Sequence, residues 1–351
     1  MSKSKIIVVS YDETDAFRQT LEQLQVCAEL INSDSPTRAK IAIILSDNVA
    51  EIIMHRLWKD IFELDDYINW IVPRQYPLPK KRKIDRYYAS KIEELDQESS
   101  VSEDIAKTLL ICHKYRNAAY HRDQHNPSVA KIISVAIFHA VCDLFKEKTA
   151  GMRTSMVGGF NEPLNWLEEY GLKNTFIHFA DASSKIADSL KRKVHIEMAE
   201  ATGTFKADIN NRISAILSLI KNKLPWKRSD ELDPILKIHE FKECYPGLED
   251  DLSKEYRALL YRIAAGKGDE VSREQYIALK EKYKREYQTK IVAFKQSTSY
   301  STLMTVKKTA KNIDSADNLY TLLNIYYSCD EPLTKFERYL NSAALEWDIS
   351  E

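Results

Sequence analysis

The sequence predicts an all-α protein built as two helical domains. Eight glycines and ten prolines in 351 residues are too few to supply the turns of a β-rich fold. Apolar residues recur at three- and four-residue spacing over long stretches, while alternating, strand-like segments are rare. With 44% hydrophobic and 29% charged residues, the composition is that of a soluble globular chain long enough to bury a sizeable core.

The first helix is expected over 14–31, capped by Asp12 or Thr14, with Phe17, Leu21, Leu24, Ala28 and Ile31 on one face. Pro36 opens a second over 37–62, with an apolar stripe of Ile41, Ile44, Leu45, Val49, Ile52 and Ile53. The segment 73–88 follows, where Pro73, Pro77 and Pro79 predict an extended linker. Its basic residues Lys80, Lys81, Arg82, Lys83 and Arg86, beside Tyr87 and Tyr88, suit a phosphate backbone and stacked bases. A solvated linker has the same composition.

Ser100 and Glu103 have capping-box spacing before a helix over 102–122. Pro127 then starts a strongly apolar helix to about 148, through Ile132, Ile133, Val135, Ile137, Val141 and Leu144. Apolarity so wide predicts burial, in a core or at a subunit contact. Thr149-Ala150-Gly151, continuing through Gly158-Gly159, marks a boundary between domains at 11–148 and 160–351. The second domain reads as helices, periodic over 176–201, 205–224, 248–265, 272–295 and 301–312. Within it, 273–290 carries Tyr276, Tyr283 and Tyr287 as a partner surface or a packed face.

Charge and cysteine usage narrow the function classes. The net charge is −1, so no global basic field attracts nucleic acid, and any RNA partner must meet a local patch. The five cysteines, at 27, 112, 142, 244 and 329, show no metal-ligand spacing and are expected as reduced core thiols. No phosphate-cradling glycine loop and no His-Glu-x-x-His zinc site is present, so no cofactor and no metal are expected. Ile6-Ile7-Val8-Val9 is too brief for a signal peptide, and no stretch of about eighteen apolar residues exists to span a membrane. A cytoplasmic protein is the expectation.

The chemistry concentrates in Arg116-Asn117-Ala118-Ala119-Tyr120-His121, near the end of a helix. Histidine titrates near neutrality and can act as general acid or base. Arginine carries a fixed, forked charge that holds a phosphate and offsets transition-state charge. Asn117 and His121 are four residues apart and share a helix face, with Arg116 about a quarter-turn round. A helix C-terminus favours a protonated imidazole. Ala118 and Ala119 would let another backbone approach closely.

The hexapeptide resembles the motif of the HEPN family (higher eukaryotes and prokaryotes nucleotide-binding domain), an Arg, a polar residue, three variable residues and a His. Upstream, Asp47-Asn48-Val49-Ala50-Glu51-Ile52-Ile53 is similar to the family's second helix, and the helix order over 11–148 fits. The resemblance implies metal-independent RNA cleavage in a composite site made from two such domains, leaving a 2′,3′-cyclic phosphate, as in toxins and phage-defence effectors. His121 is then the acid or base, Arg116 the charge stabiliser and Asn117 the positioning group, with Glu51 and Tyr120 in support. Only one Arg-x4-6-His occurs in the chain, so a homodimer is expected to complete the site, with Ala118, Ala119 and the apolar helix over 130–144 as candidate surface. The tyrosine that some HEPN toxins carry two residues after the His is Asp123 here, which leaves 160–351 as the candidate for regulation, sensing or substrate choice. The alternatives are a non-catalytic HEPN module that binds RNA, a nucleotide or a protein partner, and a helical interaction protein.

Overall fold

The computed structural model describes residues 7–8, 11–33, 35–69, 71–98, 101–121, 126–150, 154–157, 169–170, 176–222, 232–233, 236–238, 240, 244, 281–282, 285, 288–289, 296 and 298–350. For 7–8, 11–16, 118–121, 148–150, 154–157, 176–181 and 346–350 the backbone alone is described. The fold is all-α in class. The helices whose bounds lie among the described residues are α1 (Tyr11–Asn32), α2 (Pro36–Ile68), α3 (Leu78–Arg86), α4 (Tyr88–Gln97), α5 (Glu103–His121), α6 (Pro127–Ala150), α7 (Phe179–Lys193), α8 (Met198–Asn222), α9 (Tyr300–Thr309) and α10 (Leu319–Ser350). Among the described residues the one departure is a small sheet in the order β1 (Ile7–Val8), β2 (Thr154–Val157), β3 (Phe176–His178). β1 pairs parallel to β2 with Ile7 opposite Thr154, and β2 antiparallel to β3 with Met156 opposite Ile177.

The chain forms two compact units, one of residues 1–208 and 313–327, the other of 209–312 and 328–351. The first unit therefore runs well past the boundary expected at 149–159. Its reach has a physical cause in α7, which packs on α6 and is tied to it by ion pairs. Lys191 holds both oxygens of Asp143 at 2.8 Å, and Lys146 reaches Asp188 at 3.2 Å.

At the centre of this unit lies α6, against α1, α2, α5 and α7. Asn126 caps it, its Oδ1 accepting the Ser128 N–H at 3.1 Å, and Pro127 takes the first helical position. Ala130, Ile133, Val135, Ile137, Phe138, Val141 and Leu144 are all fully enclosed. Over Pro127–Glu147 this helix is long and apolar enough to cross a membrane, contrary to the expectation that no such run exists. Most of it is buried within the fold. The stretch 130–144 is spent on the chain's own core and is not free to serve as the subunit surface expected of it.

Several elements differ from expectation. Residues 78–86 are not extended but form α3, because Pro77 and Pro79 flank the first turn, where the missing N–H costs nothing. Helix α5 is capped by Ser102, whose Oγ accepts the Ile105 N–H at 3.4 Å, while Ser100 lies outside the described residues. The helix expected over 176–201 breaks after Lys193, and the next runs unbroken from Met198 through the expected gap at 202–204. Two tertiary donors cause the break. Asn32 Nδ2 donates to the Lys193 carbonyl at 3.1 Å and His139 Nε2 to the Val194 carbonyl at 2.6 Å, taking up groups that a continuing helix would use. Helix α10 was not singled out by periodicity, and it carries Pro332 inside it. The stretch 248–265 and the tyrosines at 276, 283 and 287 lie outside the described residues.

Candidate functional site

The site is built where α2, α4 and α5 meet in the first unit. Small residues on α2 (Ala39, Ala42, Ser46 and Ala50) are buried and allow close approach of its neighbours. On that same face Asp47 is 0% exposed, a carboxylate in the core. On α5, Ile105, Leu109 and Cys112 are buried, and this leaves His113, Arg116 and Asn117 at the margin of the core. Their spacing of three and four residues keeps them on neighbouring rows of one face.

Asp47 organises the cluster. Its Oδ2 lies 3.1 Å from His113 Nδ1 and 3.7 Å from Arg116 Nε. The first is a hydrogen bond and the second an ion-pair approach. The His113 ring stacks on Tyr88 at the start of α4, centroids 4.1 Å apart and planes 12° from parallel. Tyr88 Oη donates to the Leu109 carbonyl at 3.5 Å. Asp47 Oδ1 is buried and accepts no hydrogen bond of ordinary geometry. Even so, its charge is felt nearby: burial first, then neighbouring negative groups including Asp47, push the Tyr88 hydroxyl and the Cys112 thiol well up, so both stay protonated.

Arg116 and His113 are 27% and 29% exposed in their side chains, which leaves an edge of each open to a ligand while the rest is anchored. Arg116 Nη1 donates to Asn117 Oδ1 at 3.4 Å. Arg116 Nε is itself buried and makes no hydrogen bond of ordinary geometry. The His121 backbone is the last helical residue of α5, and the side chains of Tyr120 and His121 lie outside the described residues, as does Asp123.

Glu51, expected to hold Arg116, pairs with the nearly buried Lys91 at 3.6 Å, and the carboxylate beside Arg116 is Asp47, one turn earlier on α2. Neither Asp47 nor His113 was singled out as a site residue. The available signal was their i, i+3 and i, i+4 relation to the motif and to Glu51.

The basic helix α3 divides by function. Lys81 is turned inward, 2.8 Å from Asp66, 3.1 Å from Asp65 and 3.1 Å from the Phe62 carbonyl. Burial opposes the charge on Asp65, yet the Gln75 N–H and Lys81 together hold its carboxyl below the usual range. Lys80 meets Glu94 at 2.7 Å and lies over the Tyr76 ring. Arg82, Lys83 and Arg86 face solvent, with Arg86 5.4 Å from the centroid of the exposed Tyr87. Among the described residues no group of three or more His, Cys, Asp or Glu converges to hold a metal ion. All five cysteines are free thiols, four of them buried; burial raises Cys27 to about 12.

No protein-family model matches the chain, and neither a curated protein nor a solved structure does.

Proposed function

We propose that this chain is a metal-independent endoribonuclease of the HEPN type, a cytoplasmic toxin or phage-defence effector that cleaves RNA to a 2′,3′-cyclic phosphate. The observation that carries the reading is the setting of Arg116: the first residue of the Arg-Asn-x3-His motif is anchored beside a fully buried carboxylate, with an edge of its side chain exposed. In this reading Arg116 binds the scissile phosphate and offsets its growing charge, Asn117 steadies the guanidinium, and His121 exchanges the proton. The second unit serves control or substrate choice, through a partner or a sensed ligand.

Two copies share one cleft in this proposal, since each chain carries a single motif. With α6 buried, the pairing is assigned to the end of α5, the segment that carries the motif. Purified protein in EDTA is expected to cut total RNA and leave cyclic phosphate ends. Specific activity is expected to fall on dilution below the dimer dissociation constant, and His121→Ala chains mixed with wild type are expected to poison it. RNA bound but left intact returns the non-catalytic module, and a monomer with full activity per chain refutes the shared cleft.

Substrate grip is assigned to the exposed part of α3. Changing Arg82, Lys83 and Arg86 together to glutamine is expected to flatten the slope of log affinity against log salt by about 2, at ~0.7 per lost contact with single-stranded RNA. Lys81→Gln is expected to lower the melting temperature instead, because it strips a buried pair. An unchanged salt slope in the triple variant would return α3 to a purely structural role.

A further inference from the structure

The pair formed by Asp47 and His113 is not part of the Arg-Asn-x3-His motif. We infer that His113 is a second catalytic histidine, the general base that takes the 2′-hydroxyl proton of RNA, with Asp47 as its positioning residue. This rests on the nuclease reading above and adds to it the group that starts the reaction.

The geometry argues as follows. An ionised carboxylate only accepts hydrogen bonds, so the 3.1 Å contact to Asp47 Oδ2 places a proton on His113 Nδ1. In the neutral ring the lone pair is then on Nε2, the atom a base must use. The Tyr88 stack fixes the plane of the ring, and the side chain is 29% exposed, so the imidazole is oriented and still reachable. A buried carboxylate alone would need a donor, but it would not need that donor to reach the surface.

Spacing along α5 supports the division of labour. At 1.5 Å per residue, Arg116 lies about 4.5 Å and His121 about 12 Å beyond His113 along the axis. Arg116 thus lies between the two histidine positions along α5, and in the shared cleft the acid is His121 of either copy. His113 Nε2 takes the proton from the 2′-hydroxyl, and the 2′-oxygen bonds to phosphorus. The bond from phosphorus to the 5′-oxygen breaks, and that oxygen takes its proton from His121. The products are a 2′,3′-cyclic phosphate and a 5′-hydroxyl, and both imidazoles reset by proton exchange with water.

The decisive variant is His113→Asn, whose side-chain N–H still serves Asp47 while Nε2 is lost. Against wild type in EDTA with a short RNA, kcat is expected to fall about 10²- to 10⁴-fold with KM little changed. The acidic limb of the kcat–pH profile is expected to disappear. Among the described residues His113 meets Asp47 on α2 and Tyr88 on α4, and Cys112 and Arg116 on α5 interact with the same Asp47, with the Glu51–Lys91 pair beyond. Asp47→Asn is expected to lower kcat in the same direction. A kcat for His113→Asn within about threefold of wild type, with the acidic limb intact, assigns His113 to the fold alone. The nuclease reading survives that outcome if His121→Ala is inactive. Wild-type protein that leaves RNA uncut removes both. Should His113→Asn not fold, ¹⁵N spectra of the wild-type histidines decide: a neutral His113 with its proton on Nδ1 is expected, and one with the proton on Nε2 overturns the inference.

Discussion

Arg116→Lys is expected to slow RNA cleavage by about 10²- to 10³-fold, the cost of losing one preorganised donor to the transition state. Its melting temperature is expected to stay within a few degrees of wild type. Lysine keeps a cation near Asp47 but loses the rigid fork that grips two phosphate oxygens at once. Arg116→Ala is expected to be as inactive and also less stable, by about 1–3 kcal/mol, because it removes a charged neighbour from a buried carboxylate. A position near a helix end would by itself suggest no such stability cost. His121→Ala is expected to abolish cleavage. Initial rates and thermal melts on the three variants check all of this, and wild-type cleavage by Arg116→Lys would take the phosphate away from Arg116.

Helix α1 was legible because its core face is made of large apolar residues at regular spacing, and Phe17, Leu21, Leu24, Ala28 and Ile31 are all buried. Helix α2 was legible as a helix but only in part in its orientation. Its bulkiest residues drew the expected stripe, yet Ile41 is exposed and Ile44, Leu45 and Ile52 are only half-buried. The buried face includes Val49 and Ile53 of that stripe, with Met54 and Trp58, but it runs on through Ala39, Ala42, Ile43, Ser46, Asp47 and Ala50, whose small side chains let the neighbouring helices come near. That rotation hid Asp47. A lone carboxylate among apolar residues reads as solvated, and only tertiary structure reveals that His113 and Arg116 come from α5 to meet it.

The same limit applied to α3 and to the junction of α7 and α8. A Pro-Leu-Pro-Lys-Lys-Arg-Lys run reads as extended and basic, but Lys81 finds its charge partners in Asp65 and Asp66 at the end of α2, beyond local pattern. The break after Lys193 is set by Asn32 and His139, distant in sequence. In each case the period of the hydrophobic pattern found the helix, and the polar groups that oriented or ended it came from elsewhere in the chain.

In the second unit, Arg212→Met is expected to cost about 3 kcal/mol of stability, the low end for breaking a buried ion pair because Arg212 and Glu337 keep 20% and 30% exposure. Arg212 on α8 spends its whole fork on α10. Nε and Nη2 reach the two oxygens of Glu337 at 2.8 Å each, Nη1 reaches Asp330 at 2.6 Å, and Nη2 also reaches Thr334 at 2.9 Å. Asp330, Thr334 and Glu337 lie four and three residues apart, on one helix face. Burial disfavours the guanidinium charge, but Glu337 and Asp330 outweigh it and hold the arginine firmly protonated. A guanidinium with four of its five N–H donors spent on α10 is held for packing, so a strongly perturbed arginine here marks structure, not catalysis. Urea unfolding of Arg212→Met is the measurement, and changing Asp330 to Asn and Glu337 to Leu in the same chain is expected to recover much of the loss by removing the stranded carboxylates. A midpoint unmoved in the single variant would show that α8 and α10 hold together without the clamp, and would return Arg212 to the residues available for binding.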